Sequence, residues 1–133
     1  MRPVVTLTLA DLDAALETAA SDGADGLYFA SFSILAADPA RIVDFAASKR
    51  LPAIYYDSQF VALGGLMSFG ASIPAMARRA AAFVDKVLRG ANPGDIPVEY
   101  TTSYDLVINL NTARALGITF PQSILVQATE VIQ

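Results

Sequence analysis

Apolar positions along the chain keep two rhythms, and the rhythms take turns. Residues 3–9 alternate β-branched and leucine side chains at period two, the mark of a strand. Leu12, Ala15, Leu16 and Ala19 then fall on one helical face, behind Thr8 and Asp11 at the spacing of a capping box. Gly23 and Gly26 punctuate the exit, and Leu27-Tyr28-Phe29-Ala30 is a short apolar run suited to a strand covered on both faces. Asp38-Pro39 is the clearest helix start: Asp38 can accept orphan amide protons, and Pro39 at N1 loses no hydrogen bond. Ile42, Val43 and Ala46 face inward, while Lys49 and Arg50 sit where the helix dipole favours cations.

The same alternation continues. Residues 52–56 read as a strand, 58–63 as one short helical turn ended by Gly64-Gly65, and 66–69 as another strand. Ser72 is placed to cap the longest helix, with Pro74 in its first turn and Gly90 as its C′ residue. Ile73, Met76, Ala77, Ala80, Phe83, Val84, Val87 and Leu88 form its apolar stripe. After the turn Asn92-Pro93-Gly94-Asp95, the positions Val98, Tyr100, Thr102, Tyr104, Leu106 and Ile108 alternate as one face of a long strand over 97–110. Asn111 is placed to cap a final short helix that Gly117 ends. Strands alternating with helices predict an α/β, three-layer fold with a mostly parallel sheet.

Composition narrows the chemistry. The 133 residues suffice for about one domain, and 54% hydrophobic content excludes a disordered chain. Nine basic against 13 acidic residues leave a net charge of −4, and no basic cluster follows any element, so nucleic acid is not an expected partner. Cysteine and histidine are both absent. That removes disulfides, thiol catalysis, zinc ribbons, and the commonest general base and metal ligand. No enzyme, no catalytic residue, no cofactor and no metal are expected. No run approaches the roughly 18 apolar residues of a membrane span, so no membrane insertion is expected either. The start lacks the pattern of a signal peptide, having one basic residue, a short apolar stretch, and Asp11 and Asp13 without a cleavage site.

Ligands of open parallel sheets bind beyond the carboxyl ends of the strands. Three such ends offer Ser31, Phe32 and Ser33; Tyr56, Asp57 and Phe60; and Ser68 and Phe69. Hydroxyls beside aromatic rings suit a planar solute stacked and held by a few hydrogen bonds. Each residue also has a plainer role: the serines as loop or cap residues, Phe32 and Phe60 as core rings, Asp57 as the cap of residues 58–63. Tyr100 and Tyr104 fit strand packing better than a site, and Arg78-Arg79 a solvated surface. Gly64-Gly65 and Gly70 lack the spacing and the Lys-Ser/Thr of a phosphate loop.

Three segments carry a family likeness: Gly65-Leu66-Met67-Ser68-Phe69-Gly70, then Ala81-Ala82-Phe83-Val84-Asp85-Lys86-Val87-Leu88-Arg89-Gly90, then Leu106 through Ile118. In that order the chain resembles the tryptophan or aromatic-solute-binding branch of the ABC-transporter substrate-binding proteins, over most of its length and to the ending Ala128-Thr129-Glu130-Val131-Ile132. The resemblance implies a periplasmic-binding-protein-like (type I) fold present as partial lobes. It covers only the C-terminal portion of relatives that are much longer, secreted and two-lobed. It implies a second-lobe portion over 1–70, a hinge crossing and first-lobe portion over 71–104, and a return strand and C-terminal segment over 105–133. It further implies a small-molecule solute, an ABC transporter permease as partner in the full-length context, and a periplasmic location, or a cytoplasmic one if this is the whole gene product. Amino-acid-binding relatives carry Thr-Asp-Asn-Thr where this chain has Ser31-Phe32-Ser33-Ile34. Loss of that carboxylate points to a less polar solute, aromatic or anionic. Two functions follow as expectations: a solute-binding component of an ABC-type importer, or its truncated remnant, taking a small aromatic or amino-acid-like solute without chemistry; or a self-associating α/β module that retains no ligand binding. A homodimer is expected, with the Ile73–Leu88 helix or the 97–110 strand exchanged between protomers.

Overall fold

A computed structural model describes residues 3–4, 8–30 and 35–133. Five strands form one sheet in the order β1 (Leu27–Tyr28), β2 (Ala53–Tyr55), β3 (Met67–Ala71), β4 (Tyr104–Asn109) and β5 (Glu130–Ile132). β1, β2 and β3 run parallel, β4 runs antiparallel to β3, and β5 runs parallel to β4. The fold is α/β with a mostly parallel sheet.

Helices α1 (Leu12–Ser21), α2 (Pro39–Ser48) and α3 (Ser58–Ala62) supply one side of the core. Leu12 and Leu16 of α1, Ile42, Val43 and Ala46 of α2, and Phe60 of α3 cluster with Phe29, Ala53 and Tyr55 of the sheet. Leu12, Leu16, Ile42, Val43 and Ala46 are residues that the helical spacing selected. Three aromatic rings make the centre of that cluster: Phe29 stacks on Tyr55 at 5.3 Å, and Tyr55 on Phe60 at 4.9 Å. The helix ends follow local chemistry. Thr8 and Asp11 hydrogen-bond to each other ahead of α1, and the Asp38 carboxylate accepts the Arg41 amide at the start of α2.

Several expectations need correction. The strand over 3–9 lies mostly outside the described residues, and Pro3 and Val4 belong to no strand. Ser72 makes no side-chain cap; its backbone carbonyl accepts from Met76 instead. The cap of α5 (Leu110–Leu116) is Asn109, not Asn111: its side chain accepts from the Asn111 and Thr112 amides. The long strand over 97–110 is only Tyr104–Asn109. Alternation persists upstream, but residues 97–103 have left the sheet, and among the described residues no strand pairs with them. Two short elements near the C-terminus, α6 (Gln122–Leu125) and β5, have no sequence rhythm long enough to reveal them.

β3 and β4 leave the core side by side and end together at the pair Ala71–Tyr104, beyond which the Ser72 amide donates to the Ser103 carbonyl. Between these points lies an arm made of α4 (Ile73–Leu88), a turn and the extended return. No residue of α4 is buried. Arg79 on α4 pairs with Glu99 on the return, which holds the two limbs of the arm together. No helix among the described residues is long and apolar enough to cross a membrane.

Candidate functional site

The strand order brings the carboxyl end of β2 against the middle of β3, and there the chain leaves a recess of about 240 Å³. Its wall after the end of β2 is Tyr56, Asp57 and Ser58, the last opening α3; from β3 come Ser68, Gly70 and Ala71, from the start of α4 Ile73 and Pro74, and from β4 Asp105. Each wall has a local cause. Asp57 sits in extended backbone as the N-cap of α3, with one carboxylate oxygen accepting the Gln59 amide at 2.8 Å. That bond fixes the side chain at the rim. Ser68 is paired between Tyr55 and Val107 and is buried beneath the rim. Asp105 stands opposite Gly70 across the antiparallel ladder.

Gly70 sets how closely these parts meet. A Cβ on it would lie 1.9 Å from the Tyr56 carbonyl oxygen, so only glycine lets β3 approach the end of β2 this closely. Burial raises the Tyr56 phenol pKa, and the charge of Asp57 adds to the shift. The phenol is therefore neutral at physiological pH and can donate a hydrogen bond. The recess presents an aromatic edge, hydroxyl groups and two carboxylates, a set suited to reversible recognition of a solute bearing a cationic or donor group. Among the described residues no group of three or more His, Cys, Asp or Glu side chains is placed to hold a metal ion.

Of the residues marked in the sequence, Tyr56, Asp57 and Ser68 meet in this recess. Phe60 does not reach it. It is 0% exposed, with its ring on Tyr55 and edge-on to Tyr56, so it supports the site from the core. Phe69 points to the face opposite Ser68, as strand alternation requires, and stacks on Tyr104 at 5.6 Å, exposed to solvent. Ser31, Phe32 and Ser33 lie outside the described residues. Asp105 is the residue that sequence reading missed. A lone carboxylate at the head of an apolar strand was the available signal, but its place opposite Gly70 depends on an antiparallel pairing that periodicity cannot show.

A second depression, of about 160 Å³, opens between α2 and α5 at the amino ends of β2 and β3. It is lined mainly by apolar side chains such as Val43, Leu51, Leu66 and Leu116, and the Arg50 guanidinium at its edge donates to the Ala115 carbonyl at 3.0 Å. It lies at the wrong end of the parallel strands for the usual ligand position of such sheets. The recess at Tyr56 is the candidate site.

Comparison with known proteins agrees with this fold. The family model described as ABC transporter substrate binding protein matches residues 1–132. A solved structure from Streptococcus pneumonia, an ABC domain in complex with L-Trp, superposes with a TM-score of 0.88 at 25% identity, over 98% of this chain and 45% of that one. A conserved domain protein from Vibrio cholerae superposes with a TM-score of 0.83 at 28% identity, over 95% of this chain and 42% of that one. A ligand-free, open substrate binding protein from Clostridium difficile, at 20% identity and a TM-score of 0.65, shares the fold. The chain thus spans less than half the length of these neighbours. A search of curated proteins returned no match. With a family model covering nearly every residue, the chain belongs to the ABC transporter substrate-binding protein family.

Proposed function

We propose that the chain is a solute-binding portion of an ABC-type importer, and that it takes a small solute with an aromatic part and a cationic amine in the recess between β2, β3 and β4. The convergence of Tyr56, Asp57, Ser68 and Asp105 on one recess carries this reading. Two carboxylates would repel an anionic solute, so the anionic alternative raised by the sequence is set aside in favour of an amine. L-Trp, held by one structural neighbour, is an aromatic solute that carries an ammonium group. At about 240 Å³ the recess is below the roughly 300 Å³ at which ligand pockets begin. It would therefore grip one end of the solute, the rest lying against the arm or against a further lobe. On this reading residues 71–104 cross a hinge, and an importer permease and a periplasmic site of action belong to the full-length context. Binding is reversible and involves no bond making, so the protein is not an enzyme.

Thermal shift and calorimetric titration of the chain with L-Trp, an aromatic amine without the carboxylate, and an aromatic acid without the amine test the reading. A solute that binds only the folded state raises the melting temperature by mass action. The expected order is amine-bearing solutes above the acid. Asp57→Asn and Asp105→Asn should each weaken the amine by about tenfold or more, as expected for loss of one charge-assisted contact worth roughly 1.5–3 kcal/mol. Asparagine is an equally good N-cap, so Asp57→Asn should leave the melting temperature of the free protein unchanged. Preference for the acid, or indifference to both substitutions, would overturn the proposal.

A further inference from the structure

Ser68 is 1% exposed, and its hydroxyl makes no hydrogen bond with any described residue. It is not sealed in the core, because the residue lines the recess. Asp105 is half-buried in the same recess, and no described residue donates to its carboxylate. The Asp57 carboxylate gives one oxygen to the Gln59 amide, and its other oxygen has no described donor. Buried and half-buried acceptors are normally satisfied, so three without donors around one recess mark donors that a ligand brings.

The sheet explains why they gather. Ser68 and Gly70 are two residues apart on β3 and share a face, and Asp105 stands opposite Gly70 across the ladder. On its other side Ser68 is paired with Tyr55, from which the chain runs through Tyr56 to Asp57. We propose that Ser68, Asp57 and Asp105 form a socket for a primary ammonium, so that the recess selects its solute by the number of N–H groups and not by charge alone. An ammonium offers three donors and no acceptor, which matches three acceptors from three segments. Each N-methyl group keeps the positive charge and removes one donor. Attraction to the two carboxylates therefore acts almost equally on methylated and unmethylated amines. The missing donor is felt where water cannot replace it, and that acceptor is the buried hydroxyl of Ser68. This rests on the reading of the recess as an amine site and adds to it the class of amine.

The 133-residue chain is titrated calorimetrically with phenethylamine and its N-methyl, N,N-dimethyl and N,N,N-trimethyl derivatives. All are cationic at neutral pH, and they carry three, two, one and no N–H donors. Affinity should fall about tenfold at the first methyl group and at least about a hundredfold by the trimethyl compound. Ser68→Ala tests whether the hydroxyl makes the distinction. It should weaken phenethylamine about tenfold and so bring its affinity close to that of the N-methyl compound. The free variant should melt no lower than the unsubstituted chain, because the hydroxyl it loses has no described partner. Equal affinity for all four amines, each above an aromatic acid, would overturn the socket and leave the amine reading intact. Binding by none of the four would overturn both. If Ser68→Ala closed the gap by admitting the methylated amine and not by weakening the primary one, space alone would be the selector and the socket would fall. A drop in the melting temperature of free Ser68→Ala would likewise overturn it, since the hydroxyl would then serve the fold.

Discussion

Gly70 is where a single hydrogen atom in place of a methyl group decides the site. With the Tyr56 carbonyl 1.9 Å from a built Cβ, Gly70→Ala must push β3 away from β2. A cost of about 1–3 kcal/mol is expected, the usual range for overpacking, read as a lower urea midpoint together with lost solute binding. Tyr55 offers a test by pH. Burial raises its pKa, so the fold favours the neutral phenol. Its contribution is whole below the ordinary tyrosine value of about 10 and is lost as pH rises through the higher folded value. Stability should therefore fall in alkali above about pH 10, and Tyr55→Phe should flatten that fall. Arg50 takes a left-handed backbone, φ 53°, in the C′ position after α2 while its side chain bonds Ala115. Substitution by glycine or alanine removes the same bond, but only glycine relieves the backbone. Arg50→Gly should thus be more stable than Arg50→Ala by about 1 kcal/mol in denaturant melts.

At the scale of elements, the contrast lies between helices with a buried face and the one without. α2 and α3 put Ile42, Val43, Phe60 and Val61 into the core, whereas α4 is held to the return segment by the Arg79–Glu99 pair, and its Phe83 ring lies near the charged ends of Arg79 and Lys86 on the same helix. The Arg79 hydrogen bond is the largest cause lowering the Glu99 pKa. A depressed carboxylate stabilises above its unfolded value and ceases to do so as pH falls through the folded one. The arm should therefore loosen in acid, below about pH 4.3, while the sheet remains paired. Amide exchange of residues 97–103 should accelerate there, and Glu99→Gln should show the fast rate already at neutral pH. Both side chains are solvated, so the effect belongs to the arm and not to global stability.

Across the whole molecule, the sheet and its α1–α3 layer make one cooperative unit, and the arm projects from it at the Ala71–Tyr104 pair. Limited proteolysis should cut first within residues 90–103, where the backbone is exposed and has left the sheet, and leave the five-stranded core undigested. Ile73 and Pro74 line the recess together with residues of β3 and the segment after β2, so a ligand that binds there should slow that cleavage. Primary cleavage inside β2 or β3 would mean that the arm is not the weakest part of the fold.

The sequence by itself determined the kinds of element and their order, because helix caps and apolar periodicity are local: Asp38-Pro39 starts α2, Gly117 ends α5, and Ile42, Val43 and Ala46 turn inward as their spacing dictates. The family was legible too, in the motifs around Gly70, Asp85 and Asn109. Part of the candidate recess could be marked: Tyr56 and Asp57 follow the end of β2 as read, while Ser68 was read near a strand end at 66–69 and instead lies inside β3, which continues to Ala71. Pairing is not local, and only the tertiary structure decided it. It set β4 antiparallel beside β3, which places Asp105 in the recess and turns Phe69 onto Tyr104. It drew Phe60 wholly into the core, where an aromatic at a strand end would otherwise pass for a stacking platform. It also ended the alternating run at Tyr104, because period two makes a strand only where a neighbouring strand offers its amides and carbonyls, and among the described residues no strand pairs with 97–103, where the Ser72 amide reaches only the Ser103 carbonyl.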